Sequence, residues 1–184
     1  MKKLLLVLPV FALLAGCDWF VEPEEKLPDP NPKENEVIKS VKLTKFNCGL
    51  TSDDSTEAFE TSLDIEGKTE KYTFEIGPNC YNHAEYDEFL IKPNGYIKSK
   101  SSYRVDRLVI DYFSKKGVNF EVLDASNNTV AYHESSVTTE YPGENDFGAV
   151  IEYPINGTSW TIQNTTEYNK PAFYSITVIF VMAV

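Results

Sequence analysis

The chain carries little of what enzyme chemistry needs. Two histidines and three cysteines serve 184 residues. There is no G-x-S-x-G, no H-E-x-x-H, and no phosphate-loop or dinucleotide glycine pattern. A serine triad would have to draw on His83 or His133, and neither stands in a telling context. Asp106 and Asp111 lie an odd number of residues apart on an extended segment, so they face opposite ways and cannot share one site. Basic residues are few as well: 17 Lys and Arg against 28 Asp and Glu, a net charge of −11. Nucleic acid, whose binding rests on neutralising phosphates, is a poor partner for such a surface. Cys80 and His83 have C-x-x-H spacing but no matching second half, so zinc is not expected. No segment shows helical periodicity beyond about two turns, which argues against an α/β enzyme.

A long apolar run is also missing. The longest near the start, residues 4–14, falls short of the ~20 residues of a membrane span. Lys2 and Lys3 precede it, and Leu14-Ala15-Gly16-Cys17 closes it. Basic start, short apolar core and small residues describe a secretory signal. The ending resembles the lipobox of bacterial lipoproteins. That resemblance implies cleavage after residue 16, palmitate-type acylation of Cys17, and a bilayer as the first partner. The expected address is the bacterial envelope, at the outer membrane or cell surface, with the domain outside the cytoplasm. Residues 17–36 are rich in proline and acid and are expected to form an extended tether. A single domain then covers residues 37–184.

What fills that domain is β-branched and aromatic residues in short runs between turn signals, which predicts an all-β sandwich. Strands are expected at 37–46, 61–66, 71–76, 89–91, 96–98, 105–113, 118–123, 129–133, 149–155, 158–163 and 172–182. Asn94-Gly95 predicts a hairpin between 89–91 and 96–98, and residues 114–117 predict one between 105–113 and 118–123. Within 105–113, Leu108 and Ile110 share a face opposite Val109 and Asp111; Arg107 is the nearest partner for Asp111. Residues 53–62 read as one short helix capped by Ser52 or Ser55. The last strand is apolar on both sides, as in the interior of a packed sheet.

The stretches YRVDRLVIDYFSKKGVNFEVLD, TSWTIQN and PAFYSITVIF resemble the galactose-binding-like, discoidin-type jelly roll of many carbohydrate-binding modules. The resemblance covers about the second half of the chain. It implies a jelly-roll sandwich and a binding or accessory role, with glycan as the first ligand class. An adhesin or fimbrial-type assembly subunit is the alternative, and an envelope hydrolase the third.

Candidate residues follow from these readings. With Cys17 taken by lipid, Cys48 and Cys80 are expected to form one disulfide, closing a loop of about thirty residues and contributing ~3–4 kcal/mol. Flat rings and polar groups for a sugar are sought at Tyr141, Glu144, Asn145, Asp146 and Trp160. No cofactor is expected, apart from a structural calcium ion at Glu144 and Asp146 or at Asp53 and Asp54, which supply hard oxygen ligands without the spaced loop pattern.

Overall fold

The computed structural model describes residues 30–114, 119–134, 147–167 and 170–184. Among them are ten strands and no helix: β1 (Glu36–Thr44), β2 (Phe59–Asp64), β3 (Lys71–Ile76), β4 (Cys80–Asn82), β5 (Phe89–Ile91), β6 (Tyr96–Ser114), β7 (Asn119–Leu123), β8 (Thr129–Glu134), β9 (Phe147–Gln163) and β10 (Ala172–Ala183). All are linked antiparallel, in the order β4-β5-β10-β6-β9-β7-β8, with β1 on β10, β3 on β6 and β2 on β3.

Two long strands organise the rest. β6 pairs with β9 along its length, and the ladder slips between Lys100 and Val105 and again between Val105 and Arg107. Such bulges bend a strand pair. On one side of the bend, residues 104–113 of β6 pair with β10. On the other, Ile97 and Lys98 pair with β3. One bent ribbon therefore belongs to two sheets: β1 and β5 join the first through β10, and β2, β3, β7 and β8 join the second.

The sheets close on a ring-rich core. Tyr72 of β3 stacks on Phe180 of β10 at 5.2 Å, with Phe74 at 5.1 Å on its other flank. Phe120 of β7 meets Phe173 of β10 at 5.3 Å and Tyr112 of β6 at 5.5 Å. The contacts of Tyr72 with Phe180 and of Phe120 with Phe173 and Tyr112 join the second sheet to the first, as in a sandwich or half-barrel. Even-numbered Tyr72, Phe74 and Ile76 are buried while their odd neighbours are not, as the alternation in sequence requires. β10 is buried on both faces, flanked by β1 or β5 on one edge and β6 on the other. Among the described residues β1 pairs with β10 alone, and its lysines sit on that edge.

Several expectations change. The segments 105–113 and 118–123 do not pair with each other: β9 lies between β6 and β7. Nor do β5 and β6 form a hairpin. Asn94 takes φ 64° and Gly95 N–H donates to Lys92 O at 2.9 Å, a real turn, but β5 pairs with β4 and β10. The strands expected at 149–155 and 158–163 are one: Asn156 at φ 49° sits within continuous β9, opposite the bend in β6. Residues 53–58 are loop, not helix. There the Ser55 hydroxyl donates to Gly77 O and accepts from Cys80 N–H, and Ser55 N–H donates to Cys80 O, so the chain is drawn onto the β3–β4 turn. Arg107, 1% exposed, faces Asp106 at 3.4 Å and Glu152 at 3.2 Å, and Asp111 is not its ion-pair partner.

Ahead of β1, Glu36 N–H donates to Lys33 O and Val184 N–H to Asn35 O, so residues 33–36 dock on the sheet.

Candidate functional site

Two loops meet beside β4. The first, residues 45–58, leaves β1; the second, residues 83–88, joins β4 to β5. Asn82 fastens them. Its amide Nδ2 donates to Lys45 O at 3.1 Å and to Leu50 O at 2.7 Å, and its Oδ1 accepts from Cys48 Sγ at 3.4 Å. Asn47 closes the turn at the start of the first loop: its Oδ1 accepts from Thr44 N–H at 2.7 Å and its Nδ2 donates to Lys42 O at 2.9 Å. In the second loop, His83 Nδ1 accepts the N–H groups of Glu85 and Tyr86 at 3.2 and 3.3 Å, and its ring lies 4.6 Å from that of Tyr86. Lys45 Nζ donates to Tyr86 O and joins the loops directly. On this braced platform Phe46 is 78% exposed and Tyr86 55% exposed.

The thiols belong to the bracing. Cys48 and Cys80 are both buried and free, so the expected disulfide is absent. Cys48 directs its sulfur at Lys45 O and Asn82 Oδ1. Cys80 directs its own at Pro78 O and Tyr96 O, 3.7 Å from each. Burial raises both thiols above their ordinary range, Cys80 to about 12, which keeps them protonated and unreactive.

A second feature lies on the outer face of the second sheet. Glu60, Glu75, Lys98 and Thr161 follow one another across β2, β3, β6 and β9 by direct register. Lys98 Nζ stands 3.0 Å from Glu75 and 4.9 Å over the Tyr96 ring, whose hydroxyl donates to Glu75 Oε1 at 2.7 Å. That bond holds the Glu75 carboxyl below its ordinary range and pushes Tyr96 up to about 12. The strip forms a cleft of about 270 Å³, bounded beyond β9 by the β7–β8 loop with Asp124 and Asn127. Asp124 Oδ1 accepts from Ser126 N–H at 2.8 Å and Asn128 N–H at 2.9 Å, which fixes the loop and lowers the carboxyl's pKa.

Of the residues singled out in the sequence, Trp160 is no platform: it is 0% exposed, and its Nε1 donates to Tyr72 Oη at 3.1 Å inside the core. Its strand parity with Ile162 already pointed inward. Cys17, Tyr141, Glu144, Asn145 and Asp146 lie outside the described residues. Asp54 is engaged by Lys92, and among the described residues no group of three or more His, Cys, Asp or Glu is placed to hold a metal, Asp53 included. Phe46, Tyr86 and the polar strip carried no sequence signal. A lone ring in a loop has no periodicity, and side chains on four strands become neighbours only once register is fixed.

No protein-family model matches the chain, and no curated protein matches it in sequence. Among solved structures it is similar to two cleaved adhesin domains of Lys-gingipain. One shares 11% identity at a TM-score of 0.34, over 76% of this chain and 88% of that one. The other, from Porphyromonas gingivalis, shares 9% at 0.31, over 82% and 99%. Overlap at that level is a partial coincidence of β-strand layout and carries no information about partners.

Proposed function

We propose that the chain is a non-catalytic adhesive module of the bacterial envelope, held to a membrane through acylated Cys17, which grips a partner protein with the end formed by residues 45–58 and 83–88. The observation that supports this reading is the pair of exposed rings, Phe46 and Tyr86, on loops cross-braced by Asn82, Asn47 and Lys45. Aromatic side chains dominate the hot spots of protein interfaces, and a ring already fixed in place gives up little conformational freedom on contact.

Beads coated with the full chain, measured for adhesion to immobilised fibrinogen, fibronectin, collagen and mucin, test the proposal. Adhesion to at least one is expected, with a loss of more than tenfold in the Phe46→Ala/Tyr86→Ala double variant. Adhesion to none of them, or undiminished adhesion by the double variant, contradicts it. Periodate oxidation of the immobilised partner leaves a protein contact intact and removes a glycan contact. Incorporation of labelled palmitate, lost in Cys17→Ala, tests the anchor separately.

A further inference from the structure

The end formed by residues 45–58 and 83–88 has a sign as well as a shape. One lysine, Lys45, stands there against Asp53, Asp54, Glu57, Glu85, Asp87 and Glu88, so about half of the chain's net charge of −11 falls on these two loops. Given the gripping role proposed above, we infer that the partner held there presents an extended cationic segment, rich in arginine, whose guanidinium groups lie on the exposed rings and against the carboxylates beside them.

The cations of this end are already engaged. Lys45 Nζ is turned onto Tyr86 O, and Lys92, just past β5, is bound to Asp54. Asp53, Glu57, Glu85 and Asp87 are exposed, and among the described residues none of the four takes part in an ion pair. The fold shows twice what a ring and a carboxylate hold together. Lys92 Nζ lies 5.1 Å over the Tyr81 ring while bound to Asp54. Lys98 Nζ lies 4.9 Å over the Tyr96 ring and 3.0 Å from Glu75. In both places one cation is shared between the face of a tyrosine and an acid. Glu85-Tyr86-Asp87 turns the same two parts to solvent, with an acid before and after a ring that is 55% exposed, and Phe46 adds a second ring.

The spread of the acids selects the form of the partner. Among the described residues no three of them converge on a point that would hold a metal ion, so a single small cation meets little more than one carboxylate at a time. A chain that carries several cations meets several of these acids at once. Anionic headgroups and nucleic acid are repelled by the same field, which speeds the approach of a basic protein. Arginine suits the surface better than lysine. Its planar guanidinium stacks on a ring, forks onto a carboxylate, and is less tightly hydrated than an ammonium.

Biolayer interferometry on the immobilised full chain tests the inference with twelve-residue peptides that repeat Arg-Gly-Ser, Lys-Gly-Ser or Glu-Gly-Ser. Salt is held at about 0.15 M, where exposed charges more than about 8 Å apart are largely screened. Saturable binding of the arginine peptide is expected, with weaker binding of the lysine peptide and none of the glutamate peptide. Glu85→Gln/Asp87→Asn and Phe46→Ala/Tyr86→Ala should each weaken the arginine peptide about three- to tenfold. Glu66→Gln/Glu70→Gln, which neutralises two exposed acids in the β2–β3 turn, should bind it as the parent does. Circular dichroism and thermal melting verify that all three variants are folded. The inference is overturned if the arginine peptide shows no saturable binding, if the glutamate peptide binds equally, if Glu85→Gln/Asp87→Asn retains parental affinity, or if the β2–β3 variant loses as much. The bead assay distinguishes these failures from failure of the grip. Adhesion lost in the ring variant but kept in Glu85→Gln/Asp87→Asn leaves the gripping end standing and overturns its cationic partner; adhesion undiminished in the ring variant contradicts the grip itself.

Discussion

Replacing Asn82 by alanine removes the side chain that ties the end of β4, where the second loop begins, to the first loop. Two donated bonds are lost, to Lys45 O and Leu50 O, together with the acceptor for Cys48 Sγ. A hydrogen bond contributes ~1 kcal/mol net, and a polar group left without a partner costs ~1–3 kcal/mol more where water cannot reach it. Asn82 is half-buried, so water recovers part of that, and the expected loss is ~2–3 kcal/mol. For a domain of this size it lowers Tm by ~5–10 °C, read by differential scanning calorimetry. A second readout separates loosening of the loops from general weakening. Cys48 is a buried residue of the first loop, and Cys80 is tied to the β3–β4 turn by Ser55. Alkylation of the native protein by iodoacetamide, followed by peptide mass spectrometry, should therefore accelerate at Cys48 and far less at Cys80. Asn82→Asp, which keeps an acceptor for Cys48 but loses both donors, should be no better than alanine. A Tm within 1 °C of the parent with unchanged Cys48 labelling would falsify the assignment of Asn82 as the brace.

Other outcomes follow from the same geometry. In the parent protein neither thiol should react with an aromatic disulfide reagent at pH 8 until denaturant is added, and both should then titrate: burial raises Cys48 above its ordinary range and covers its sulfur, and Cys80 at about 12 is ionised in only about one molecule in 10⁴ at that pH. Tyr96→Phe should return Glu75 towards its ordinary value of 4.5, visible in an NMR titration, while altering stability by about 1 kcal/mol or less, since both groups are only half-buried and solvent screens the bond. The Tyr96–Glu75 bond contributes fully between about pH 4.5 and pH 10; it is lost on the acid side as pH falls through the lowered Glu75 pKa, and on the alkaline side as pH rises through that of Tyr96 at about 12. Trp160→Phe should cost ~2–3 kcal/mol in urea unfolding through lost ring volume and the lost bond to Tyr72, and remove the buried indole emission.

Much of the strand content was legible because alternation is a local property. Lys71–Ile76 and Phe89–Ile91 stand as the sequence implies, and the doubly buried last strand announced its place inside a sheet. Partnership was not legible. Asn94-Gly95 and residues 114–117 read as hairpin turns, yet turn chemistry reports only that a chain changes direction, not which strand it then meets. The polar middle of β6 and the Asn-Gly in β9 looked like interruptions. They mark the place where two strands bend together, and a bulge uses the same residue types as a turn. Among the described residues five asparagines, at 35, 79, 94, 127 and 156, take positive φ and show how much of this fold's punctuation that one residue supplies. Cysteine arithmetic misled for a different reason. An exported address makes pairing of Cys48 and Cys80 plausible, but each sulfur has its own polar neighbours, which spacing cannot reveal.

The placement of β1 has a mechanical consequence. The ring-bearing loop leaves its far end at Thr44, and the upstream chain enters its near end at Glu36, ~30 Å away along a nine-residue strand. A pull between a held partner and whatever lies upstream thus runs along β1 itself. Its ladder to β10, from Glu36 opposite Ala183 to Thr44 opposite Ser175, lies across that line. The bonds are then loaded together in shear instead of being unzipped one at a time, and the edge strand that looks least protected becomes the tendon of the domain.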